Sequence, residues 1–362
     1  MSSFNVGNIG SSNASGDFGN FATFFSGQVY EAWRNQPVLA NVNSPVIHRR
    51  PMYRKGVTYV ERQFADLPDA VKSYLGGLPL LGQAMSYDNV SFTRDPGLIV
   101  EHQVVAIQDE ATADWDLFSR AARAQVRKVR MEFDRRCFVT ACLAGRAAAK
   151  VSTLTGLNIH QGGNRVTRGG GATDATAVAT AYPVSATGAA NYRYDLQQLG
   201  YTMDTKAIPS EMRLLWHTPY MQQVLMQDRT ANLFDKDFIE WGVTGGDVQR
   251  RQVTMVDGFK VIEPRVNTST NQGSMPDQNF TDGPTAYQAD FTPSTSTGSP
   301  VALVLSPGQD GDAAISIGSW LDLTPFFVWI PQNMCWLFGC YMLGSVGQFN
   351  PSCAGTIEVI NS

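Results

Sequence analysis

Apolar residues recur every three or four positions between residues 113 and 150, which is the clearest pattern in the chain. These apolar positions are Trp115, Phe118, Ala122, Val126, Val129, Phe133 and Cys137. The spacing is typical of one face of an α-helix, and no Gly or Pro interrupts it before Gly145. At ~1.5 Å per residue, such a helix extends roughly 50 Å. The pattern therefore predicts a long amphipathic helix that is suited to act as a structural spine.

A second repeat on the same segment is basic and comprises Arg120, Arg123, Arg127 and Arg130. It predicts a helix face that could contact nucleic acid or acidic neighbours. An ordinary solvated helix face carries the same pattern. The sequence leaves both interpretations open.

Residues 46–107 show a different pattern, in which β-branched and aromatic residues alternate with polar ones. The segments "RRPMYRKGVTYVERQF" and "GLIVEHQVVAIQDE" predict the two strands of an extended ribbon, with a Gly-, Pro- and Asp-rich tract between them. An isolated two-stranded ribbon is marginally stable in water, so this one is expected to lie on another surface, that of a partner. The candidate contact residues are Arg54, Lys55, Tyr59 and Arg62, although such charges are equally typical of a solvated face.

Short elements of both types fill the rest of the chain. Phe25, Val29 and Trp33 predict a short helix over 21–33, docked either on its own core or on a neighbour. The polar, glycine-rich tract 160–188 is predicted to be a loop. The later patterns predict helices at 191–201 and 219–227, a buried strand at 212–219, and strands at 251–264, 300–307, 313–318 and 322–344. The fold class is therefore mixed α+β.

Composition indicates a folded chain of 362 residues, because 43% of them are hydrophobic and 17% are charged. The net charge of −4 argues against a protein that binds nucleic acid over its whole surface. The first residues show no basic segment followed by an apolar one, so assembly in a cytoplasm is expected. Pro331, Gln332 and Asn333 interrupt the most apolar stretch, 325–344, so no transmembrane helix and no membrane partner are expected.

Candidate catalytic and metal-binding chemistry is sparse. The five cysteines lack close metal-ligand pairs, and Cys335 and Cys340 would point to opposite faces of a strand, so all five are interpreted as small buried apolar residues. Their strand, "CWLFGCYMLG" (335–344), is predicted to be buried on both faces. The four histidines lie far apart and no nucleophile motif is present, so no cofactor, metal or catalytic residue is expected. The alternatives are an enzyme whose site forms only in the fold and a DNA-binding protein that uses the basic helix face.

The order of these elements resembles that of the major capsid proteins of tailed double-stranded DNA bacteriophages. The segments that carry the resemblance are "AIQDEATADWDLFSRAARAQ" (106–125), "RLLWHTPYMQQVL" (213–225), "MVDGFKVIEPRVN" (255–267) and "GQFNPSCAGTIEVI" (347–360). More narrowly, the sequence resembles the podovirus-type branch of the HK97-like fold, for which T7 is the familiar example. The resemblance runs from about Gly27 to the C-terminus.

The resemblance implies a subunit with four parts. These are an N-terminal arm at 1–45, an extended β-hairpin or E-loop at 46–106, a peripheral P-domain and an axial A-domain. The P-domain would contain a spine helix within 107–150 and C-terminal strands at 331–362, and most of 151–330 would form the A-domain.

The resemblance also implies a structural function and no enzymatic activity. Copies of the chain would assemble into hexamers and pentamers of an icosahedral shell, which encloses double-stranded DNA with weak non-specific contact and expands as it matures from a procapsid. Portal and scaffolding proteins, and a decoration protein, would be its partners, with assembly in the bacterial host cytoplasm and a final place in the virion. Some relatives form a covalent Lys–Asn bond between subunits, for which Lys55, Lys72 and Asn350 supply the residue types.

Overall fold

Helix α1, Trp115–Gly145, is the long helix that the apolar repeat predicts, and it contacts both of the larger β-sheets. A computed structural model describes the chain over residues 25, 27–31, 47–51, 56, 58–64, 87–95, 98–106, 115–152, 156–170, 177–227, 246–247, 252–253, 255–262, 285–308, 312–333 and 335–361. The rest of the N-terminal arm, Arg54, Lys55 and the tract 65–86, which includes Lys72, lie outside the described residues.

The first sheet has four strands in the order β1-β14-β15-β4. Its strands are β1 (Ile47–Pro51), β4 (Ile99–Ala106), β14 (Ile315–Ile330) and β15 (Cys335–Gln348). β14 and β15 form one long antiparallel hairpin, joined by the 3-10 helix Pro331–Asn333. The predicted strands at 313–318 and 322–344 had the wrong boundaries, because the register of this hairpin shifts between Ser319 and Thr324 and interrupts the side-chain alternation there.

The second sheet has six strands in the order β11-β12-β8-β13-β16-β7. Its strands are β7 (Asn164–Gly169), β8 (Leu214–His217), β11 (Met255–Val256), β12 (Phe259–Ile262), β13 (Ser299–Leu305) and β16 (Ala354–Ile360). All residues of β8 and β13 are buried, which confirms the buried strand predicted at 212–219. The C-terminal strand β16 pairs with β13 and β7 and therefore lies inside this sheet rather than beside β15.

Three two-stranded sheets complete the described strands. They are β2 (Thr58–Phe64) with β3 (Tyr87–Thr93), β5 (Lys150–Val151) with β6 (Asn158–His160), and β9 (Gly246–Asp247) with β10 (Gln252–Val253). The predicted ribbon had the wrong second strand. β2 pairs with β3, whereas β4 pairs with β15 in the four-stranded sheet. β3 carries only Tyr87, Val90 and Phe92 as apolar residues, so its pattern is weaker than that of β4 and it lies within the tract between the two predicted strands.

The remaining helices are α2 (Ala177–Ala181), α3 (Ala186–Thr205) and α4 (Pro219–Leu225), with 3-10 helices at Thr285–Tyr287 and Pro351–Cys353. α3 and α4 confirm the helices predicted at 191–201 and 219–227. Ser185 caps α3, and Thr218 caps α4 just before its first-turn proline. Within the described ranges, no helix combines the length and the apolar content needed to cross a bilayer.

The tract 160–188 is not the loop that its composition predicts, since it contains β7 and α2. In β7 the only apolar side chain is Val166, so the strand has no hydrophobic alternation. It forms through parallel backbone pairing with β16, from Asn164 opposite Gly355 to Gly169 opposite Ile360. Backbone pairing of this kind leaves no signature in side-chain polarity.

Helix α1 is amphipathic only in its first half. Between Arg120 and Lys128, exposed and buried positions alternate with helical spacing. From Phe133 to Gly145, every residue is buried or half-buried. The second half is enclosed because it packs between the four-stranded sheet and strands β13 and β16 of the six-stranded sheet.

A buried carboxylate joins the end of α1 to the six-stranded sheet. Glu358 on β16 is fully buried and accepts from Arg146, 2.6 Å away, and from Arg165 on β7, 2.8 Å away. Gly145 also lies against Thr356, where an added Cβ would approach the Thr356 methyl carbon to 2.6 Å. The orientation of α1 relative to this sheet is therefore held by Arg146 and by the close contact of Gly145 with Thr356, while Arg165 joins β7 to the same carboxylate.

The short N-terminal helix docks on its own chain. Residues 25 and 27–31 are helical, and Phe25 and Val29 are buried. The ring of Phe25 meets that of Phe338 on β15 edge to face, with 5.3 Å between centroids. Of the two alternatives for this helix, the structure supports docking on its own core for these two residues, while Trp33 lies outside the described residues.

Candidate assembly surfaces

The basic face predicted on α1 divides into an exposed and a buried part. Arg120, Arg123 and Arg127 are exposed, whereas Arg130 is only 2% exposed. Arg130 lies one helical turn after buried Val126, which places it at the edge of the apolar stripe. The structure therefore presents three of the four arginines to the outside.

Lys128 extends this basic face. Its side chain is 65% exposed, and its Nζ lies 2.8 Å from the Glu101 carboxylate on β4. Surface pairs of this kind contribute little to stability, at most about 1 kcal/mol. Arg120, Arg123, Arg127 and Lys128 are called the basic face below.

The β2–β3 hairpin has an inner and an outer face. The inner face packs on the same chain, and the exposed outer face consists of Thr58, Val60, Arg62, Tyr87, Asn89, Ser91 and Thr93. The Arg62 guanidinium lies over the Tyr87 ring, 4.9 Å from its centroid. Of the candidate contact residues, Arg62 is therefore exposed, while Tyr59 is half-buried on the inner face.

The surface under β2 and β3 belongs to the same chain. Tyr59 packs against Trp320 and Leu343, and the Trp320 indole N–H donates to the Gly56 carbonyl at 3.0 Å. The Phe92 ring covers Gly347 so closely that a Cβ there would lie 2.3 Å from the ring. The need of these two strands for a supporting surface is thus met within one chain, and the prediction that the ribbon requires a partner is not supported for them.

Charged contacts hold the hairpin at both ends. At the far end, Asp88 accepts from Lys150, and this hydrogen bond lowers the pKa of the Asp88 carboxyl. At the root, Asp95 follows β3 and pairs with Arg136 in the middle of α1, 2.9 Å away. The Tyr287 hydroxyl donates to the same carboxylate at 3.0 Å and accepts from the Val346 N–H at 2.8 Å.

This root network is buried, since Asp95, Arg136 and Tyr287 are 5%, 6% and 3% exposed. Burial raises the pKa of Asp95, although the charge of Arg136 and the two hydrogen bonds oppose the shift. Burial also raises the pKa of Tyr287. Sequence reasoning missed this network because its three members are far apart in the chain.

The face of the four-stranded sheet that points away from α1 is mainly apolar and partly exposed, with His102 opposite Gly339 as its polar member on β4. The strand register places Leu337 between Val104 and Val328, and Tyr341 between Val100 and Thr324. The Phe326 ring lies over Gly339 and contacts the Tyr341 ring, 5.9 Å between centroids. We call Val100, Val104, Phe326, Val328, Leu337 and Tyr341 the outer sheet face.

Exposure on the outer sheet face is high for apolar residues. Val100 is 43% exposed and Val104 is 56% exposed, and the other members are half-buried. The prediction of a strand buried on both faces is therefore right for Phe338, Cys340 and Met342, which face the core. On the other face it is right for Cys335 and Leu343 at the ends and wrong for Leu337 and Tyr341 between them, which are half-buried. A contiguous exposed apolar patch on a sheet usually marks a site where another protein surface binds.

The cysteines are packing residues, as predicted. All five are buried thiols outside any disulfide. Burial raises the pKa of Cys142 well above its usual value and that of Cys340 and Cys353 to about 12, which keeps these thiols protonated and unreactive. Among the described residues, no group of three or more His, Cys, Asp or Glu side chains is placed to hold a metal ion.

One histidine is buried deep in the fold. His217 on β8 is fully buried, and its Nδ1 lies 3.3 Å from the Tyr192 hydroxyl on α3. Burial lowers the pKa of His217 to about 4, so the ring is neutral near pH 7. Its partner is a tyrosine whose own pKa is raised by burial, which gives a structural contact rather than a proton-transfer pair.

Solved structures with a similar architecture come from phages. "Capsid structure of the Cyanophage P-SCSP1u" matches with a TM-score of 0.66 at 19% identity, over 88% of this chain and 87% of that chain. "Asymmetric unit of bacteriophage PhiM1 mature capsid" matches with a TM-score of 0.64 at 14% identity, over 90% and 88%. A structure from Mycobacterium phage Che8 matches with a TM-score of 0.53 at 14% identity, over 89% and 91%. No family model and no curated protein matches the sequence. The chain therefore has the HK97-like fold of phage capsid proteins, as the resemblance in its sequence predicts.

Proposed function

We propose that this chain is the major capsid protein of a tailed double-stranded DNA phage and that copies of it assemble into an icosahedral shell. The observation that carries the proposal is an exposed apolar outer sheet face on a fold that is shared, over about nine-tenths of the chain, with phage capsid structures. Exposed apolar side chains are stabilised when another surface covers them, by about 25 cal/mol per Å² removed from water. A second copy of the chain is the natural cover in a self-assembling shell.

The finer form of the proposal is a shell of hexamers and pentamers that expands from a procapsid as DNA enters. Closed rings repeat each contact around a symmetry axis, which is the usual route to closed homo-oligomers. Expansion would be a change between two packings of the same subunit. The buried Asp95–Arg136 pair at the root of the hairpin is one contact that such a change would keep or break.

The division of the chain into parts is also proposed. The arm would be 1–45, the E-loop 46–106, the spine helix within 107–150, the A-domain mostly 151–330, and the C-terminal P-domain strands 331–362. In support, β2–β3 falls within the E-loop, and α1 falls within the spine-helix range. Because β1 and β4 pair with β14 and β15, the projecting part of the E-loop would start after β1 and end before β4.

The phage capsid structures point to a structural, non-enzymatic role for this fold. Portal and scaffolding proteins and a decoration protein are proposed as partners, with assembly in the host cytoplasm before incorporation into the virion. A covalent Lys–Asn bond from Lys55 or Lys72 would require Asn350. Its side-chain amide now donates to Asp312 at 3.2 Å, and its oxygen accepts from the Ser352 N–H.

Electron microscopy of the purified full-length chain tests the main proposal. Icosahedral shells or regular rings are expected once the chain is concentrated. A chain that stays a small monomer at high concentration, as measured by sedimentation velocity, contradicts the proposal. Denaturing gels of the same particles test the cross-link, since a bonded shell gives a ladder and an unbonded shell gives a single monomer band.

A second candidate function is DNA binding through the basic face. The observation that favours it is the exposure of Arg120, Arg123 and Arg127 on one side of α1. In a shell, the same face would contact enclosed DNA through its phosphates without reading sequence. Salt-dependent DNA affinity of the isolated chain would support this role.

A further inference from the structure

Helix α3 has an outward face that carries no free charge. Its buried side is formed by Gly188, Ala189, Tyr192, Asp195, Leu196, Leu199, Gly200 and Met203. Its exposed positions are Ala186, Thr187, Ala190, Tyr194, Gln197, Gln198, Tyr201, Asp204 and Thr205. A solvated helix face usually carries Lys, Glu and Arg, and this one does not.

The charged side chains of α3 are engaged within the chain. Asp195 is buried and accepts from Arg168 at 2.6 Å. Arg193 pairs with Asp257 on the β11–β12 turn at 3.1 Å, and Asp204 pairs with Arg213 at 2.6 Å. The outward surface between these pairs is therefore neutral.

Two tyrosines dominate this neutral surface. Tyr194 is 57% exposed and Tyr201 is 67% exposed, and their spacing of two helical turns places them in one line. Gln197 and Gln198 lie between them. Contact surfaces between proteins are enriched in tyrosine and depleted in charged residues, so this composition is typical of an interface rather than of a solvated helix.

We propose that the Tyr194–Gln198–Tyr201 face of α3 is a contact surface between neighbouring copies of this chain. The proposal rests on the self-assembly proposed above and names a surface that takes part in it. The lack of positive charge excludes nucleic acid as the partner of this face. A nucleic acid requires Lys or Arg against its phosphates, and the face offers neither. A neutral face is covered best by another neutral protein surface, since a charged one would lose its solvation without gaining a partner.

The small area of this α3 face favours a second copy of the chain over a different protein as the partner. A helix of 20 residues is about 30 Å long and about 10 Å wide, so the face covers roughly 300 Å² on one partner. A stable complex usually buries about 800 Å² on each partner. The face is too small to hold a separate protein by itself, whereas neighbouring copies in a ring are held together by other contacts at the same time.

Placing charged side chains on this α3 face tests whether it is buried between copies. The double variant Tyr194→Lys and Tyr201→Lys is expected to reduce the yield of shells or rings at least tenfold, because two lysines would be buried without partners. Both positions are more than half exposed, so the thermal midpoint of the dissociated chain is expected to stay within about 2 °C of the parent. Gln223→Lys, on the exposed side of α4, is the matched control and should assemble normally.

Photo-crosslinking identifies the partner directly. A benzophenone amino acid at position 201 in assembled particles is expected to give an adduct of twice the chain mass. An adduct with DNA or with a chain of another mass, or none in particles that have assembled, overturns the inference. If the parent chain forms no shells or rings, the proposed function fails; if the parent and the lysine variant assemble equally, this inference alone fails.

Discussion

Arg136 in the middle of α1 and Asp95 at the end of β3 form a buried ion pair, with Nη1 and Oδ2 2.9 Å apart. The two residues are 41 positions apart, and the pair joins the root of the hairpin to the long helix. Arg136 also contacts Glu132 at 3.1 Å, and its guanidinium lies 5.2 Å from the centre of the Tyr287 ring. The angle between hairpin and helix therefore depends on one arginine with several partners.

Arg136→Gln is expected to destabilise the chain by about 3 kcal/mol or more, because it leaves a buried carboxylate without its cation. Arg135→Gln is the matched control. Arg135 pairs with Glu132 at a partly exposed site, so its loss should cost about 1 kcal/mol or less. Urea unfolding of the dissociated chain measures both values, and equal losses would show that the buried pair has no special role.

Acid is expected to destabilise the fold through His217. Its folded pKa of about 4 lies below the unfolded value of 6.5, so the unfolded chain binds more protons between these values and stability falls as pH drops from 6.5 to 4. The full shift corresponds to about 3 kcal/mol. Urea unfolding at several pH values should show this loss for the parent chain and a flatter profile for His217→Gln. A His217→Gln variant that keeps the pH profile of the parent chain would exclude His217 as its cause.

Gly347→Ala is expected to loosen the hairpin, because the new methyl group would overlap the Phe92 ring. Overpacking of this kind costs about 1–3 kcal/mol. Hydrogen exchange should become faster in β2 and β3 and stay the same in α1. Gly56→Ala is the control, since nothing lies within 4 Å of its added Cβ. Adding Phe92→Leu should recover part of the loss, and no recovery would mean that the clash is not with Phe92.

Val104→Glu is expected to prevent shell formation without unfolding the chain. Val104 is 56% exposed, so a carboxylate is tolerated in the monomer and opposes burial of the outer sheet face. Gln103→Glu, at the neighbouring exposed position on the opposite side of β4, is the control. Electron microscopy gives the yield of particles. Normal shells from Val104→Glu would remove the outer sheet face from the assembly mechanism.

Replacing Arg120, Arg123 and Arg127 together with Gln is expected to weaken DNA binding. If each arginine contacts one phosphate, the slope of log affinity against log salt concentration should become shallower by about 2 to 3. Fluorescence anisotropy with a DNA duplex at several salt concentrations measures the slope. Lys260→Gln, at an exposed position on β12, is the control, and an unchanged slope in the triple variant would show that the basic face does not contact DNA.

Side-chain periodicity is sufficient to predict the elements that carry it. The repeat from Trp115 to Cys137 predicts α1, the unbroken apolar runs predict β8 and β13, and Pro219 marks the start of α4. The HK97-like fold is predicted by the resemblance to phage capsid proteins that four short segments carry together with the order of the elements. Hydrophobic spacing records which side of a local segment is buried, so it identifies a helix or strand without reference to the rest of the chain.

Which segments pair with one another depends on long-range contacts that periodicity does not record. β2 pairs with β3 and not with β4, β7 pairs with β16 although it has a single apolar side chain, and Arg130 is buried although its spacing matches the exposed arginines. The same long-range packing leaves the outer sheet face partly exposed and brings Asp95, Arg136 and Tyr287 together. These outcomes depend on hydrogen bonds and packing between residues far apart in the chain, and such contacts leave no periodic trace in the sequence around each residue.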